Sequence, residues 1–282
     1  MELIYYKSPK GNVGDDLNPW LWPKIFGDKN HFESVNFIGI GSILDRALEK
    51  WIINNNKKVV FGAGVRSFFY DQSQLTNADI LFVRGPISSK ALSGVKFITD
   101  SAYCLKFVEN LKLSKSLTYK ISYVPYFTHM DSIDWNLFEI LTGIKVISPF
   151  LSVDNFLYEI SKSEKVLSSA MHGAIFADML RIPWCRVRLE KHGGEPLLTS
   201  ELKWADWSSS MNISLPTLNI GLNLDVPRSS KIKEILKLIY LKRSFLNETR
   251  YTLSRDAVFL EKLGQLSEVI DLFKSRYRLS GP

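Results

Sequence analysis

Residues 78–102 read ADILFVRGPISSKALSGVKFITDSA, one complete strand–turn–helix–strand unit. The run ADILFVRG (78–85) is apolar-rich until Arg84 and closes on Gly85. Pro86 follows, and proline suits a first helical turn because the N–H it lacks would have no partner there. PISSKALSG (86–94) reads as a short helix and VKFITDSA (95–102) as the next buried strand. A crossover helix between two strands implies parallel pairing, since a tight turn cannot join parallel neighbours.

Similar runs recur on both sides. ELIYYK (2–7), SVNFIGIG (34–41) and KKVVFGAG (57–64) precede it as short apolar segments, with SILDRALEKWIINN (42–55) as a helix between the last two. Near-continuous apolar runs of this length suit strands covered on both faces. A second series follows: YKISYVPYF (119–127), IKVISPF (144–150), EKVLSSA (164–170) and PWCRVRL (183–189). Between them, Ile133, Leu137 and Ile140, then Phe156, Leu157 and Ile160, recur at helical spacing. The polar stretch VENLKLSKSLT (108–118) separates the two series. The expected fold is α/β: two Rossmann-like domains, 1–115 and 116–282, with two basic helices over 228–282. A ligand cleft is expected between the halves, at the carboxyl ends of the strands.

Composition narrows the class. With 282 residues and 45% hydrophobic content, the chain can bury a sizeable core, which excludes disorder as the default. No window approaches the ~20 uninterrupted apolar residues of a membrane span. The start, MELIYYKSPKGN, lacks the basic and apolar regions of a signal peptide. Cys104 and Cys185 stand far apart in apolar runs and read as buried free thiols, which suit a reducing cytoplasm. Net charge is +7, and residues 228–282 hold 12 Lys+Arg against 6 Asp+Glu. Packing against the domains is the favoured reading of those helices. A peripheral contact with the inner membrane face is the lesser one. Base-stacking aromatics and nucleic-acid motifs are not evident, so no nucleic-acid partner is expected.

Several strand ends carry chemistry. GNVGDDLNPWLW (11–22) places Asp15 and Asp16 at a helix start after two glycines, and a ligand loop and a capped structural turn fit it equally. GIGS (39–42) and GAGVR (62–66) each present backbone N–H groups at a turn, with Arg66 as a cation beside the second. A tight strand–helix turn is the favoured meaning of either Gly-x-Gly. Arg84 interrupts a buried strand end, where a guanidinium can grip a carboxylate or phosphate through two N–H groups. VPYFTHMD (124–131) offers His129 and Asp131 as an acid–base pair, with Asp131 as a helix cap the favoured alternative. SSAMHGAIFAD (168–178) puts Ser168 and Ser169 at a strand–helix joint and His172 in the first turn. Free N–H groups there suit an anion, and a histidine there titrates near neutrality. No metal site is expected, because His31, His129, His172 and His192 are scattered and no Cys-x-x-Cys occurs.

Taken together, these stretches resemble the polysaccharide pyruvyl transferases. GNVGDDLNPWL, FIGIGSIL, VVFGAGVR, FVRGPISSKAL, ITDSAYCL, VPYFTHMD, SSAMHGAIFADMLRIPW and KWADWSSSM (203–211) match that family's elements in order, over roughly residues 1–215. The resemblance implies a GT-B-like arrangement of the two domains. It also implies transfer of the pyruvyl unit of phosphoenolpyruvate onto two hydroxyls of a sugar, forming a ketal and releasing phosphate. The sugar would belong to a surface polysaccharide or its lipid-linked precursor, and no cofactor beyond phosphoenolpyruvate as co-substrate is implied. Phosphoenolpyruvate would be held by Arg84, Arg66, Ser168, Ser169, Gly173 and Lys203. His172 would act as acid–base or phosphate-stabilising group, and Asp15 or Asp16 would deprotonate or orient the sugar hydroxyls. The acceptor side would include Asn12, Gly14, Asn18, His129 and Asp131. The chain departs from the pattern at Ala170, where some members have arginine; Arg181, Arg186, Arg188 and Lys203 are the candidate replacements. It also has Thr99-Asp100-Ser101 for Gly-Asp-Pro, and Tyr126 for a histidine. A GT-B glycosyltransferase using a nucleotide-sugar is the alternative reading.

Overall fold

Two all-parallel sheets organise the chain, in a computed structural model that describes residues 1–45, 48–52, 54–68, 70–189, 196–221 and 231–279. His192 and residues 228–230 of the basic segment lie outside the described residues, as do 46, 47 and 53 of the expected helix 42–55. The first elements are β1 (Glu2–Ile4), α1 (Val13–Phe26), β2 (Val35–Ile38), α2 (Leu48–Trp51), β3 (Lys57–Phe61), β4 (Asp79–Phe82) and α3 (Pro86–Ala91). Then come β5 (Ser122–Val124), α4 (Trp135–Thr142), β6 (Lys145–Val146), α5 (Val153–Ile160), β7 (Val166–Ser168), α6 (Met171–Met179) and β8 (Trp184–Leu189). The last are α7 (Leu197–Ser210), β9 (Thr217–Ile220), α8 (Lys231–Leu246) and α9 (Asp256–Tyr277).

The chain divides into two compact units. The first holds residues 1–110, 201–213 and 254–282; the second holds 111–200 and 214–253. The sequence predicts one boundary, at 115/116. The units instead exchange the chain more than once, so α9 belongs to the first and α8 to the second.

In the first unit the sheet order is β1-β2-β3-β4. The apolar strand centres make its core, and α1 covers them with Trp22 and Phe26. Trp22 stacks edge-on against Phe37 of β2 (5.0 Å) and Phe61 of β3 (5.4 Å). Phe273 of α9 enters the same cluster 4.6 Å from Phe26. Burying one such ring contributes roughly 1.5–3 kcal/mol, which explains why α9 returns here. The expected strand 95–102 reduces to a single bridge between Val83 and Phe97. Asp100 stops it: its side chain accepts from Ala102 N (3.0 Å) and starts a 3-10 turn over Ser101–Phe107.

In the second unit the order is β6-β5-β7-β8-β9. Tyr123, Leu167, Val187 and Phe138 form its core together with Leu238 and Phe245 of α8. Strand β9 was not read from the sequence; it is four residues long and follows Pro216, so it offers little periodicity. Asp134, not Asp131, caps α4, accepting from Leu137 N at 3.0 Å. Trp135 and Phe138 face inward there, while Ile140, expected on the apolar stripe, is 80% exposed.

Candidate functional site

In the first unit, the loop after β1 turns directly into α1. Asn12 caps that helix: its Oδ1 accepts from Gly14 N (3.4 Å), and its own backbone N–H donates to Asp16 Oδ2 (2.9 Å). Its Nδ2 donates to Asp15 Oδ2 at 2.7 Å. Gly11 takes φ +79°, and a Cβ there would meet Asp16 Oδ2 at 3.1 Å, so the turn needs glycine. A Cβ built on Gly41, in the turn after β2, would sit 3.9 Å from Asp15 Oδ1. The Asp15 carboxyl therefore lies between the helix start and a neighbouring strand–glycine turn. Asn18 fixes that turn: its Nδ2 donates to Ile40 O (3.0 Å), and its Oδ1 accepts from Ile40 N and Trp22 Nε1 (3.0 Å each).

Burial pushes Asp15 up to about 7, and the negative charge of Asp16 adds to the rise. The Asn12 hydrogen bond and the positive charges of Lys203 and Arg66 pull the other way. A carboxyl held there is partly ionised at neutral pH and can take or give a proton without a large penalty. Arg66 also pairs with Asp45 at 3.4 Å and keeps a half-exposed side chain. Tyr5, just after β1, is raised by burial and by the charges of Asp16 and Asp15, which places it near the same carboxylates.

Helix α7 supplies the remaining groups. Lys203 and Asp206 stand three residues apart and therefore share a face. Lys203 brings its charge to Asp15. Asp206 is fully buried against Arg84, accepting from Nε at 3.0 Å with both side chains at 0% exposure. Arg84 Nη1 donates to Ser42 Oγ at 2.6 Å. Asp206 Oδ1 also accepts from Ile87 N (2.9 Å) and Ser88 N (3.0 Å), and Oδ2 from Ser88 Oγ (2.6 Å). One carboxylate thus caps α3, neutralises Arg84 and anchors α7.

The second unit holds the other expected residues. α6 begins after Ala170, with no side chain capping it. Ser168 Oγ donates to Ala170 O (2.6 Å), and Ser169 Oγ bonds Tyr123 OH (2.8 Å), so neither serine at the joint caps the helix. His172 sits in the first turn, half-exposed, with its ring 6.2 Å from Phe176. Gly173 is where helix and sheet meet: a Cβ would lie 2.5 Å from Ser168 Oγ and 2.9 Å from Val124 Cβ. Parallel register sets buried Arg186 of β8 beside Ser168. Arg181 pairs with Asp178 at 3.8 Å, and Arg188 is half-exposed. His129 is buried, its carbonyl accepting from Trp135 Nε1 at 3.2 Å, while Asp131 is exposed.

The residues expected at the site thus form two groups. Asn12, Gly14, Asp15, Asp16, Asn18, Arg66, Arg84 and Lys203 lie in the first unit; His129, Asp131, Ser168, Ser169, His172 and Gly173 lie in the second. Lys203, expected beside the second group, joins Asp15 because α7 returns to the first unit. Tyr5, Asp45 and Asp206 were missed. For Asp206 a signal existed, the three-residue spacing from Lys203 within KWADW. For the other two, only the fold brings them near.

A succinoglycan biosynthesis protein, ExoV, of Rhizobium meliloti (strain 1021) is 30% identical over 222 residues, covering 76% of this chain and 66% of that protein. The chain thus spans just under two thirds of that relative's length. A solved structure, the functionally uncharacterized protein KP1_0663 of Klebsiella pneumoniae subsp. pneumoniae NTUH-K2044, aligns at 17% identity and TM-score 0.46. That alignment covers 78% of this chain and 93% of the other. The description polysaccharide pyruvyl transferase matches residues 10–189, a span that contains the α1 carboxylates, both strand–glycine turns, Arg84 and the α6 histidine. The chain belongs to the polysaccharide pyruvyl transferase family.

Proposed function

We propose that this protein transfers the pyruvyl group of phosphoenolpyruvate to two hydroxyls of one sugar in a polysaccharide or its lipid-linked precursor. The products are a pyruvate ketal and inorganic phosphate. The observation that carries the reading is Asp15: a carboxyl that burial pushes up to about 7, on a capped helix start and within reach of the charges of Lys203 and Arg66. Family membership supplies the pyruvyl group. The residues supply a base and positive charge for an anionic co-substrate.

The bond changes balance as follows. One sugar hydroxyl adds to C2 of phosphoenolpyruvate. Asp15 takes its proton, and that proton is passed on to C3, which becomes a methyl group. The C2–O bond to phosphate then breaks, the second hydroxyl adds to C2, and its proton leaves with phosphate. Cations offset the charge on the departing phosphate. His172, in the first turn of α6, is the second proton-transfer or phosphate-stabilising group, and Arg186, buried in β8 beside Ser168, is a cation that could stand in for the arginine missing at Ala170.

The test is direct. Purified protein with phosphoenolpyruvate and a diol-bearing glycoside should release phosphate and add a pyruvyl ketal, read by mass spectrometry. Glycosyl transfer from a nucleotide-sugar, with no phosphate from phosphoenolpyruvate across a panel of glycosides, would overturn the proposal.

A further inference from the structure

Helix α8 has two apolar faces. The inner one, Leu238, Leu241 and Phe245, is buried in the second unit's core, with Phe245 4.8 Å from Tyr123. The outer one carries Ile232, Ile235, Leu236, Ile239 and Leu246, exposed by 73, 44, 59, 53 and 47%. A helix facing only water is polar on its outer side. The neighbouring end of α4 extends the apolar patch: Ile140 and Leu141 are 80% and 38% exposed, and the Leu141 carbonyl accepts from Lys242 Nζ at 2.7 Å. A contiguous exposed apolar patch of this kind marks a binding surface.

Among the described residues, the exposed charges on α8 have one sign. Lys233, Lys237, Lys242 and Arg243 lie on the outer face and flanks of α8. Its one acid, Glu234, is half-buried and accepts from the backbone N–H of Asp134 at 3.3 Å. The other C-terminal helix differs in degree: α9 buries Phe259, Leu266, Phe273 and Tyr277 in the first unit and exposes two large apolar side chains, Leu260 and Leu272. Among the described residues no helix is long and apolar enough to cross a membrane.

We propose that the outer face of α8, with the end of α4, is a docking surface for an anionic lipid bilayer. The apolar ridge enters the boundary between headgroups and acyl chains, and the cations meet lipid phosphates. At 1.5 Å per residue the helix presents a ridge about 24 Å long. Charge selects this occupant over a second copy of the chain. A two-fold contact would bring two such cationic faces together, whereas an anionic bilayer offers the opposite charge along the whole ridge. Vesicle binding needs no turnover, so the inference stands apart from the reaction proposed above.

The experiment is co-sedimentation of the full chain with phosphatidylcholine vesicles, with and without phosphatidylglycerol. Binding to the anionic vesicles should exceed binding to the neutral ones by about tenfold or more. It should fall several-fold when salt rises from roughly 0.1 M to 0.5 M. Leu236→Ser with Ile239→Ser should lower it about tenfold while leaving the circular dichroism spectrum and thermal midpoint unchanged, because both side chains are exposed. Lys237→Glu with Arg243→Glu should remove the preference for anionic lipid. Equal partition into both vesicle types, or full binding by Leu236→Ser with Ile239→Ser, would overturn the proposal. So would the absence of vesicle binding with a dimer that this double variant dissolves, which would assign the face to a second copy.

Discussion

Nε of Arg84 stands 3.0 Å from Oδ2 of Asp206, 122 residues further along the chain, and neither side chain reaches solvent. The same carboxylate accepts the first free N–H groups of α3. Removing one partner of a buried pair leaves a charge without compensation, at a cost on the order of 3–5 kcal/mol. Asp206→Ala should therefore lower the thermal midpoint strongly. Its effect should exceed that of Arg66→Ala, since the Arg66 partner Asp45 remains partly solvated. Calorimetry on the two variants compares them.

Gly85 bears on the same joint. A Cβ there would fall 2.1 Å from the backbone oxygen of Asp206, and backbone cannot rotate away. Gly85→Ala should cost on the order of 1–3 kcal/mol or prevent folding. Gly27→Ala, with nothing within 4 Å of its Cβ but φ +83°, should cost only the left-handed backbone strain. Urea titration of the two alanine variants reads the contrast.

Asp15 sets a pH dependence for activity. As a base it works when ionised, so kcat/KM should rise with pH through about 7. Asp15→Asn should lose ~10²–10⁴-fold in rate and lack that limb of the profile. Phosphate release measured across pH decides it, and an unchanged profile in the variant would remove Asp15 from the reaction.

The same carboxyl sets a pH dependence for stability. Its folded pKa lies above the unfolded value of 3.8, so the folded state binds the proton more tightly. That contribution is complete below the unfolded value and is lost as pH rises to about 7. Asp15→Asn stays neutral, so its advantage over the parent should grow between about pH 4 and 7 and level off above, at on the order of 2–4 kcal/mol. Thermal midpoints at several pH values give the curve.

Cys104 and Cys185 are buried free thiols, as the composition implied. Burial raises both, Cys185 up to about 12, so almost no thiolate exists at pH 8. The native protein should react with a thiol reagent only at its opening rate, and both cysteines should react at once in denaturant.

Much of the architecture was legible along the chain. Among the described residues, eight of the nine strands were read, because buried parallel strands are short apolar runs closed by turn residues. Helices α4 and α5 were read from their spacing, and the cysteine environment from its neighbours. The strand over 95–102 failed because its apolar run is cut by Asp100, whose side chain turns the backbone into a 3-10 helix. Ile140 failed because periodicity identifies a stripe of side chains without identifying what covers it.

The amino-acid order by itself determined the local elements, the alternation that makes both sheets parallel, and the short stretches that carry the family likeness. Each of these is set within one or two elements, by φ/ψ preference, capping and the period of apolar residues. Tertiary structure alone decided which distant groups share an environment. It brought Lys203 and Arg66 to Asp15, buried Arg84 on Asp206, and sent α9 to one unit and α8 to the other. Those outcomes depend on burial and on charges far apart in sequence, and both exist only once the chain has closed on itself.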